Sequence, residues 1–424
     1  MIKVMAKKIN HISVIGLGYI GLPTAAVFAK YGKKVIGVDI NEQIVTTVNS
    51  AKIHIVEPGL ENLVSSVVEK GYLRATSNPV ATDAYVITVP TPINNKTKKP
   101  NLEYVFDAAK SISKILKIGD LIVLESTVAL GTTRALSNKL AKLRPDLKFP
   151  HCHGNGSDIN IAHCPERVLP GHVLKELEEN DRIIGGLSDK CVERALELYQ
   201  IFVSGKCLIA SSVEVAEMSK LTENSFRDLN IAFANELSIL CDTVGVNVWE
   251  LISLANKHPR VNILQPGPGV GGHCIAVDPW FLVNSSGENT KLIQLARTLN
   301  DYKPNWVVEK FKKQLVNFLK KNDSISESQI SLAIYGLTFK PDIDDLRESP
   351  ALQIAKTITQ DFKGKVFIIE PNIDKLPNGL GQSSLLPLLE KQSVDFSLLL
   401  VDHKEFKKIP KPSGIIIDTR GIWI

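Results

Sequence analysis

The chain begins with short apolar runs that alternate with stretches of helical period. Residues 11–15 form a β-branched apolar run, residues 21–31 place apolar side chains at helical spacing, and residues 34–39 form a second apolar run. The same alternation predicts further strands at 85–89, 121–125, 182–184 and 207–210, and further helices at 60–70, 102–117, 133–143 and 189–202. Strands that alternate with helices are typical of a parallel, doubly wound sheet with right-handed crossovers.

A different pattern follows this segment. Residues 212–256 keep a helical period without a strand candidate, and residues 290–321 predict another helical stretch that Pro304 interrupts. A second α/β unit begins near Ile330, with strands predicted at 331–335, 365–370, 397–401 and 414–418 and a helix at 350–361.

The length of the chain also favours several domains, because 424 residues exceed what one hydrophobic core usually organises. We therefore predict an α/β protein with two Rossmann-like, doubly wound domains joined by a central helical domain. The predicted domains are residues 1–211, 212–308 and 309–424.

The composition is that of an ordinary globular protein, with 44% hydrophobic and 22% charged residues and a net charge of +5. This mild charge does not favour a nucleic-acid partner, and the lysine-rich stretches at 310–321 and 404–411 are predicted to be solvated faces. No run approaches the length of a membrane span, and the first residues lack the apolar core of a signal peptide. We therefore expect a cytoplasmic protein with no membrane partner.

The six cysteines, at 152, 164, 191, 207, 241 and 274, show no disulfide-framework spacing and are expected to be reduced. Cys152 and Cys164 lie near three histidines, His151, His153 and His163, which raises the possibility of a metal centre. Their spacing matches no common zinc pattern, and residues 154–157 are typical of a turn. We predict no metal site.

A dinucleotide fingerprint follows the first predicted strand. Gly16, Gly18 and Gly21 fit the pattern G-x-G-x-x-G at a strand-to-helix turn, and Asp39 ends the next strand. In this motif the glycines admit the pyrophosphate to the helix N-terminus, and the carboxylate binds the ribose diol and repels a 2′-phosphate. The sequence therefore predicts NAD rather than NADP as the cofactor.

Two threonines, Thr91 and Thr127, follow predicted strand ends at the edge of the sheet where ligands bind. The alternative is that each threonine only caps the helix that follows it.

A glycine-rich loop ends in a thiol. Residues 267–272 contain four glycines, Cys274 follows them, and Asp278 lies four residues further on. Backbone without side chains lets another molecule approach closely, and a thiol is a strong nucleophile. A tight turn with a buried cysteine is the structural alternative. Together with a hydride-accepting cofactor, this thiol indicates oxidation of an alcohol beyond the aldehyde to the acid.

The central helical segment carries an unusual set of polar side chains. Lys220, Asn224 and Arg227 have the spacing of one helix face and could converge on a sugar phosphate or an oxyanion. A solvated polar stripe is the alternative interpretation. Asn230, Asn235 and Glu236 continue this polar, amide-rich character.

Six segments, in their order along the chain, resemble the UDP-glucose/UDP-ManNAc 6-dehydrogenases. They are residues 16–21, 89–92, 164–171, 220–224, 267–278 and 336–350, so the resemblance covers essentially the whole chain. Residues 164–171, 221–228 and 258–280 favour the branch of the family that acts on UDP-N-acetyl-D-mannosamine. Departures such as His163 and the loop 151–156 lie outside the motif residues.

The resemblance implies a four-electron oxidation of UDP-N-acetyl-D-mannosamine at C6 to the uronate with two NAD, in the synthesis of a bacterial surface polysaccharide. Cys274 would add to the C6 aldehyde as a thiohemiacetal, whose oxidation gives a thioester that water hydrolyses. The other catalytic residues that the resemblance implies are Lys220 as general acid/base or oxyanion stabiliser, Asn224 beside it, Asp278 at the hydrolytic water, Thr127 and Glu166. A plain ion pair is the alternative for Glu166.

The resemblance also implies two sets of binding residues. The cofactor set is Gly16, Gly18, Tyr19, Ile20, Gly21, Asp39, Thr91, Thr127 and Arg347, the last reaching the NAD pyrophosphate. The UDP-sugar set is Arg167, Val168, Lys220, Asn224, Arg227, His258, Arg260, Gly271 and Lys340. Salt bridges with Asp342, Asp344 or Asp345 are the alternative for Lys340 and Arg347. A homodimer through the helical domain is expected, with His258 and Arg260 able to reach across its interface.

Other functions remain open at this point. The same chemistry on UDP-glucose or UDP-GlcNAc would use the same catalytic set. A nucleotide-sensing scaffold that has lost its chemistry is disfavoured because Cys274, Lys220 and Asp278 are all present. A two-electron 3-hydroxyacid dehydrogenase would share the domain plan but has no need of the cysteine.

Overall fold

The computed structural model describes residues 8–94, 96–272, 274–388 and 393–423. It divides into two compact units, one formed by the chain up to Glu223 with Trp280–Ser286, the other by Asn224–Pro279 with Gly287–Ile424. Among the described residues, no helix has both the length and the apolar character that crossing a membrane requires.

The first unit is built on a sheet of eight strands. They are β1 His11–Ile15, β2 Lys34–Val38, β3 Leu73–Thr76, β4 Ala84–Ile87, β5 Leu121–Leu124, β6 Asn160–His163, β7 Arg182–Gly186 and β8 Cys207–Ile209. Their order in the sheet is β3-β2-β1-β4-β5-β6-β7-β8. Every residue of β4 and β5 is buried, as expected for parallel strands covered on both faces, which read as continuous apolar runs.

Helices connect these strands. They are α1 Gly21–Lys30, α2 Glu42–Asn49, α3 Leu60–Glu69, α4 Glu103–Ser113, α5 Thr132–Leu143, α6 Pro150–His153, α7 Val173–Glu179 and α8 Asp189–Tyr199. The core of the unit lies on both faces of the sheet, and α1 is so apolar that all but one of its residues are buried.

Long helices follow this sheet. They are α9 Val213–Val244, α10 Val248–Ala255, α11 Asp278–Ser286 and α12 Lys291–Lys321. Helix α9 begins in the first unit and ends in the second, and α11 begins in the second unit and ends in the first.

The second unit contains a sheet of five parallel strands. Its remaining elements are β9 Ser331–Tyr335, α13 Pro350–Asp361, β10 Lys365–Ile369, β11 Ser384–Leu385, β12 Phe396–Leu399 and β13 Ile415–Asp418. The strand order β11-β10-β9-β12-β13 repeats the order of the first five strands of the chain. The predicted α/β fold with two doubly wound sheets and a helical segment between them in sequence is therefore confirmed.

The structure also differs from the prediction in several details. Strands β6 and β7 pair in antiparallel fashion, so the first sheet is mixed rather than wholly parallel. Strands β3, β6 and β11, which are short or carry polar residues, were not predicted, and neither were helices α2, α6, α7 and α11. Helix α12 continues through Pro304 instead of breaking there, and Pro304 is buried inside it. A Cβ atom on Gly269 would lie 3.1 Å from the Pro304 ring, so this ring lies close to the backbone of the glycine loop.

Candidate active site

The turn after β1 has the geometry that a dinucleotide fingerprint needs. Gly16 has a φ of +93°, in the left-handed region that glycine adopts without strain. A Cβ atom on Gly21 would lie 1.8 Å from the Gly16 carbonyl oxygen, so only glycine lets α1 pack this closely. At Gly18, by contrast, a Cβ atom would meet nothing within 4 Å, which leaves the backbone open to a ligand. Tyr19 and Ile20 complete the turn before α1 begins.

Asp39 follows β2 and supports the same turn. One carboxylate oxygen accepts the Leu17 amide at 2.8 Å, and the other accepts the Asn41 amide at 2.9 Å. The carboxylate is partly exposed and keeps lone pairs for a further donor. The open glycine turn, the N-terminus of α1 and this carboxylate together fit the pyrophosphate and ribose diol of NAD.

The two threonines at strand ends are joined by a hydrogen bond. The Thr91 hydroxyl donates to the Thr127 carbonyl oxygen at 2.7 Å, which links the loops after β4 and β5. The capping alternative is wrong, because the residues that precede α4 and α5 are Leu102 and Gly131. Both threonines therefore lie at the ligand-binding edge of the sheet without a role in helix capping.

A buried cation lies between two carboxylates in the first unit. Arg182 contacts Glu125 at 3.3 Å and Glu166 at 2.8 Å. The Tyr199 hydroxyl donates to Glu125 at 2.7 Å. Burial raises the pKa of Glu125 to about 7, although Arg182 acts in the opposite direction. Glu166 therefore forms an ion pair with Arg182, which is the alternative that the sequence analysis left open for it.

The start of α9 is anchored by a buried carboxylate. Glu217 accepts the Gly131 amide at 2.6 Å and the Thr133 amide at 2.8 Å, so it occupies the N-terminus of α5, where negative charge is favoured. Burial nevertheless raises the pKa of Glu217. Lys220 lies one turn further along α9 and is half-buried. Its position therefore depends on an anchor that the sequence did not single out.

Arg167 lies close to the same helix. Its guanidinium contacts Glu223 of α9 at 3.1 and 2.8 Å and donates to the Asp181 carbonyl oxygen at 3.2 Å. Val168 beside it is half-buried. Arg167 thus has a protein partner for its charge, in addition to any anionic group of a substrate.

Helix α9 and the cysteine loop meet in the second unit. The Asn224 side-chain amide donates to the Asp278 carboxylate at 2.5 Å, and the two residues are 5% and 4% exposed. The Asp278 amide donates to the Cys274 carbonyl oxygen at 2.8 Å, which closes a turn from the cysteine to the start of α11. Cys274 itself is exposed, as a nucleophile must be.

Other amides of α9 hold the loop that leads to the glycine run. Asn230 accepts the Leu264 amide at 3.2 Å and donates to the Asn262 carbonyl oxygen at 3.3 Å. Asn235 is fully buried and accepts the Gly267 amide at 2.9 Å. The side-chain amides of Asn230 and Asn235 therefore bind the backbone of this loop rather than a ligand.

The glycine run packs tightly on the loop after β9. A Cβ atom on Gly271 would lie 2.6 Å from the Glu348 carbonyl oxygen, and one on Gly272 would lie 2.8 Å from the Phe339 ring. Gly272 has a φ of +79°, and its amide donates to the Arg347 carbonyl oxygen at 3.3 Å. Glycine is therefore required here for packing within the protein, two residues before the thiol.

The two cations predicted in this second loop differ in their surroundings. The Arg347 guanidinium contacts the Asp345 carboxylate at 3.0 and 2.6 Å, so the salt-bridge alternative is present in the structure. Lys340 is half-buried and lies between Thr338, whose hydroxyl donates to its carbonyl oxygen at 2.9 Å, and the turn at Asp342. Only Arg347 of this pair is recorded in a salt bridge among the described residues.

The remaining predicted residues are exposed. Arg227 lies on the exposed side of α9, while Asn224 on the same predicted stripe is buried, so the three residues do not share one environment. His258 and Arg260 follow α10, and the His258 ring accepts the Arg260 amide at 3.3 Å.

The second unit thus unites a thiol with a buried amide–carboxylate pair, and the first unit presents a dinucleotide turn and carries Lys220. A thiol beside a carboxylate that can hold water is suited to forming and hydrolysing an acyl intermediate. Sequence reasoning missed Arg182, Glu217 and the structural role of Asn235. Arg182 begins a predicted strand, and nothing in its sequence surroundings marks it as buried between two carboxylates.

Comparison with family models identifies three consecutive regions. Residues 10–203 match the NAD binding domain of the UDP-glucose/GDP-mannose dehydrogenase family, residues 214–302 its central domain, and residues 333–424 its UDP binding domain.

Full-length relatives are similar to this chain. It is 55% identical over 416 residues to an NDP-N-acetyl-D-galactosaminuronic acid dehydrogenase of Ralstonia nicotianae, covering 97% of this chain and 96% of the relative. It is 54% identical over 420 residues to the UDP-N-acetyl-D-mannosamine dehydrogenase of Yersinia pestis, covering 97% and 99%. The solved UDP-D-ManNAc dehydrogenase of Pyrococcus horikoshii is 38% identical and superposes with a TM-score of 0.85 over 97% of this chain and 96% of that one.

Proposed function

Because the chain belongs to the UDP-glucose/GDP-mannose dehydrogenase family, we propose that it oxidises UDP-N-acetyl-D-mannosamine at C6 to UDP-N-acetyl-D-mannosaminuronate. The predictions of the family, of an NAD-dependent nucleotide-sugar dehydrogenase and of NAD as its cofactor are confirmed by the same matches and by the relatives. Several relatives of 53–55% identity carry the name UDP-N-acetyl-D-mannosamine dehydrogenase, which supports this substrate. We further propose that the product serves the synthesis of a bacterial surface polysaccharide.

The thiol of Cys274 gives the proposal its chemistry. An aldehyde carbon bears no hydroxyl group that could drive loss of a second hydride until a nucleophile adds to the carbonyl and makes that carbon tetrahedral. Addition of the Cys274 sulfur to C6 forms a thiohemiacetal, and loss of a hydride and the hydroxyl proton converts it to a thioester. Water then cleaves the C–S bond and leaves the carboxylate and the free thiol. NAD, when bound, supplies the hydride acceptor for both oxidations.

The observation that supports this mechanism best is the buried pair of Asn224 and Asp278. Their hydrogen bond of 2.5 Å fixes the carboxylate four residues beyond the thiol, where it can hold and deprotonate the hydrolytic water. We assign Lys220 to proton transfer at the C6 oxygen and to stabilisation of negative charge there. Thr127 is assigned a supporting role at the water.

Glu166 is assigned to the same water as Thr127. Its ion pair with the buried Arg182 fixes the position of this carboxylate, whose oxygens can act as hydrogen-bond acceptors. Arg167, Val168, Arg227, Gly271 and Lys340 are proposed to bind the UDP-sugar, and Thr91, Tyr19 and Ile20 to line the cofactor. Arg347 is proposed to exchange Asp345 for the NAD pyrophosphate, since arginine binds phosphate in the same bidentate manner as carboxylate.

A galacto-configured substrate is the second candidate, because the Ralstonia relative named for N-acetyl-D-galactosaminuronic acid is as similar as the mannosamine enzymes. The experiment is NADH formation with UDP-ManNAc, UDP-GalNAc, UDP-GlcNAc and UDP-glucose side by side, with mass identification of each product. We expect two NADH per UDP-ManNAc and the uronate as product. A higher kcat/KM for UDP-GalNAc would assign the galacto substrate, one NADH per sugar would contradict the four-electron mechanism, and no NADH with any sugar would contradict the function.

We also propose that the protein is a homodimer through α9. Phe226, Phe233 and Leu240 recur every seven residues on this helix and are 65%, 48% and 55% exposed. A continuous apolar stripe of this kind normally lies in an interface. Light scattering of the full chain should give twice the monomer mass, and Phe226→Lys with Phe233→Lys should give a monomer. Loss of activity in that monomer would support the role of His258 and Arg260 in the partner's site.

A further inference from the structure

The turn after β1 and the turn after β9 are built in the same way. In the first, the Gly16 amide donates to the Val38 carbonyl oxygen at 2.8 Å, and Asp39 accepts the amides of Leu17 and Asn41. These contacts tie the turn to the end of the neighbouring strand.

The second turn repeats each contact. The Gly336 amide donates to the Ile369 carbonyl oxygen at 2.9 Å, and Glu370 accepts the Leu337 amide at 2.7 Å and the Asn372 amide at 3.0 Å. Gly336 has a φ of +89°, close to the +93° of Gly16. The two turns are thus copies of one structural plan, with glutamate in place of aspartate.

The copies differ in what else the carboxylate binds. Glu370 is only 4% exposed, and its Oε2 lies 3.1 Å from Nε2 of His403, which has no exposed surface. Burial opposes ionisation of Glu370, but hydrogen bonds from His403 and from the Leu337 and Asn372 amides outweigh it and lower the pKa of this carboxyl group. The carboxylate in the first turn is placed to bind a ribose, whereas the corresponding carboxylate in the second turn binds a histidine.

The other ring nitrogen of His403 fixes a strained residue. Nδ1 accepts the backbone amide of Asp342 at 2.9 Å, and the Asn372 side chain lies 3.0 Å from the same nitrogen. Asp342 has a φ of +63°, a left-handed conformation that costs energy for a residue with a side chain. The Asp342 carboxylate accepts the Lys404 amide at 3.0 Å, so the segment that carries His403 holds this residue at two points.

These contacts also exclude a metal-binding role for the ring. Asp342, His403 and Glu405 have ligand-type atoms within 4.8 Å of one another. However, the Nδ1 lone pair accepts amide donors, and Nε2 bears the proton that it donates to Glu370, as in the neutral Nε2–H tautomer. Neither nitrogen has a lone pair left for a metal ion.

The fixed segment carries Lys340. Thr338, whose hydroxyl lies 3.4 Å from Nε2 of His403, donates the same hydroxyl to the Lys340 carbonyl oxygen at 2.9 Å. Phe339, between them, packs on Gly272 of the cysteine loop. We infer that His403 is a positioning residue for the UDP site, which with Glu370 holds residues 337–342 so that Lys340 meets the diphosphate. This inference rests on the proposed function.

The test compares His403→Gln with a matched variant in the same sheet. Asp395 accepts the Ser331 amide and hydroxyl at 2.8 and 2.7 Å. Ser331 begins β9, so this contact lies at the opposite end of the strand from the turn at Gly336. Asp395→Asn therefore perturbs the stability of this sheet without touching residues 337–342. Measurements are the KM values for UDP-sugar and for NAD, kcat, the Kd of UDP by calorimetry, and the Tm.

For His403→Gln, we expect the KM for UDP-sugar and the Kd of UDP to rise about 10-fold or more, while kcat at saturation and the KM for NAD stay near the wild-type values. Asp395→Asn should lower the Tm and leave the UDP affinity unchanged. Glu370→Gln keeps an oxygen acceptor for the Leu337 amide, so we expect a smaller rise in the Kd of UDP. This second variant tests the inference if His403→Gln does not fold.

Unchanged UDP affinity in a folded His403→Gln or Glu370→Gln protein would overturn the inference, as would an equal loss of UDP affinity in Asp395→Asn. Because UDP binding is measured without turnover, these results stay separate from the proposed function. That function fails instead if the wild-type chain binds UDP but forms no NADH with any UDP-sugar.

Discussion

The side-chain amide of Asn224 donates a 2.5 Å hydrogen bond to the carboxylate of Asp278, and both side chains are almost fully buried. This bond joins α9 to the turn that carries Cys274. Because the donor is an amide, the Asp278 carboxylate is held as an acceptor at this position. We propose that this carboxylate holds the water that hydrolyses the acyl group on Cys274.

Replacement of Asn224 by aspartate should therefore remove most of the activity. Two buried carboxylates at this distance cannot both remain ionised, so one would take up a proton and Asp278 would lose its role as base. We expect kcat to fall about 100-fold or more with little change in the KM for NAD. The control is Thr222→Ala, an exposed position on the same helix. A kcat for Asn224→Asp close to that of Thr222→Ala would contradict the assignment.

Asp39 is expected to set the choice of cofactor. Asp39→Asn keeps an acceptor for the Leu17 amide and removes the negative charge that repels a 2′-phosphate. The KM for NAD should rise about 10-fold, and the preference for NAD over NADP should narrow, since each lost charge-assisted hydrogen bond costs about 1.5–3 kcal/mol. Initial rates with both cofactors check this. Unaltered values for both cofactors would show that the ribose does not bind at Asp39.

The cysteine loop should not tolerate a side chain at Gly272. A Cβ atom there would lie 2.8 Å from the Phe339 ring, at a φ of +79°. Gly245 is the matched control, because its φ is +74° but a Cβ atom would meet nothing within 4 Å. We expect Gly245→Ala to lose about 1 kcal/mol of stability and keep its activity, and Gly272→Ala to lose activity as well. Activity retained in both variants would contradict the claim that the packing of Gly272 on Phe339 is needed for activity.

Much of the fold followed from the sequence, and the reasons are physical. The strands β1, β9 and β10 consist mostly of apolar residues and are bounded by glycine or charge, so their positions were predicted closely. Strand β6, with a polar residue at each end, was not predicted, because its burial depends on neighbours distant in sequence. Tertiary packing also overrode the local preference of Pro304 to end a helix.

The candidate site was predictable where its chemistry lies in local motifs. The glycines and Asp39 were found because a fingerprint has fixed spacing, and the cysteine loop because its composition is unusual. The pairing of Glu166 with Arg182, and of Arg347 with Asp345, depends on which charged side chains meet in three dimensions. Glu370 could have been found by aligning the two copies of the Rossmann turn, in which it takes the place of Asp39, whereas its pairing with His403 depends on the three-dimensional structure.

A buried lysine predicts how stability changes with pH. Lys303 is 2% exposed, contacts the Ser238 hydroxyl and lies 3.8 Å from the centre of the Trp306 ring. Burial lowers its pKa from 10.5 to about 7. Between these two values the folded protein binds fewer protons than the unfolded chain, so the free energy of unfolding rises with pH in this window.

As the pH rises from 7 towards 10.5, the free energy of unfolding of wild type should therefore increase relative to that of Lys303→Met, by up to about 1.4 kcal/mol per pH unit. Denaturant titrations at both ends of the window check this. Lys312→Met, at an exposed lysine of the same helix, is the control and should show little pH dependence. A difference for Lys303→Met that is independent of pH would contradict the predicted shift.

The covalent intermediate on Cys274 is the central claim, and quenched mass spectrometry tests it most directly. The enzyme is mixed with NAD and UDP-ManNAc, quenched in acid during turnover, digested and searched for the peptide of residue 274 with the added mass of the acyl UDP-sugar. We predict this adduct in wild type and in Cys152→Ser, which lacks another exposed cysteine, and its absence in Cys274→Ser, whose turnover should be severely slowed. Full turnover by Cys274→Ser, or turnover by wild type with residue 274 never modified, would contradict the account.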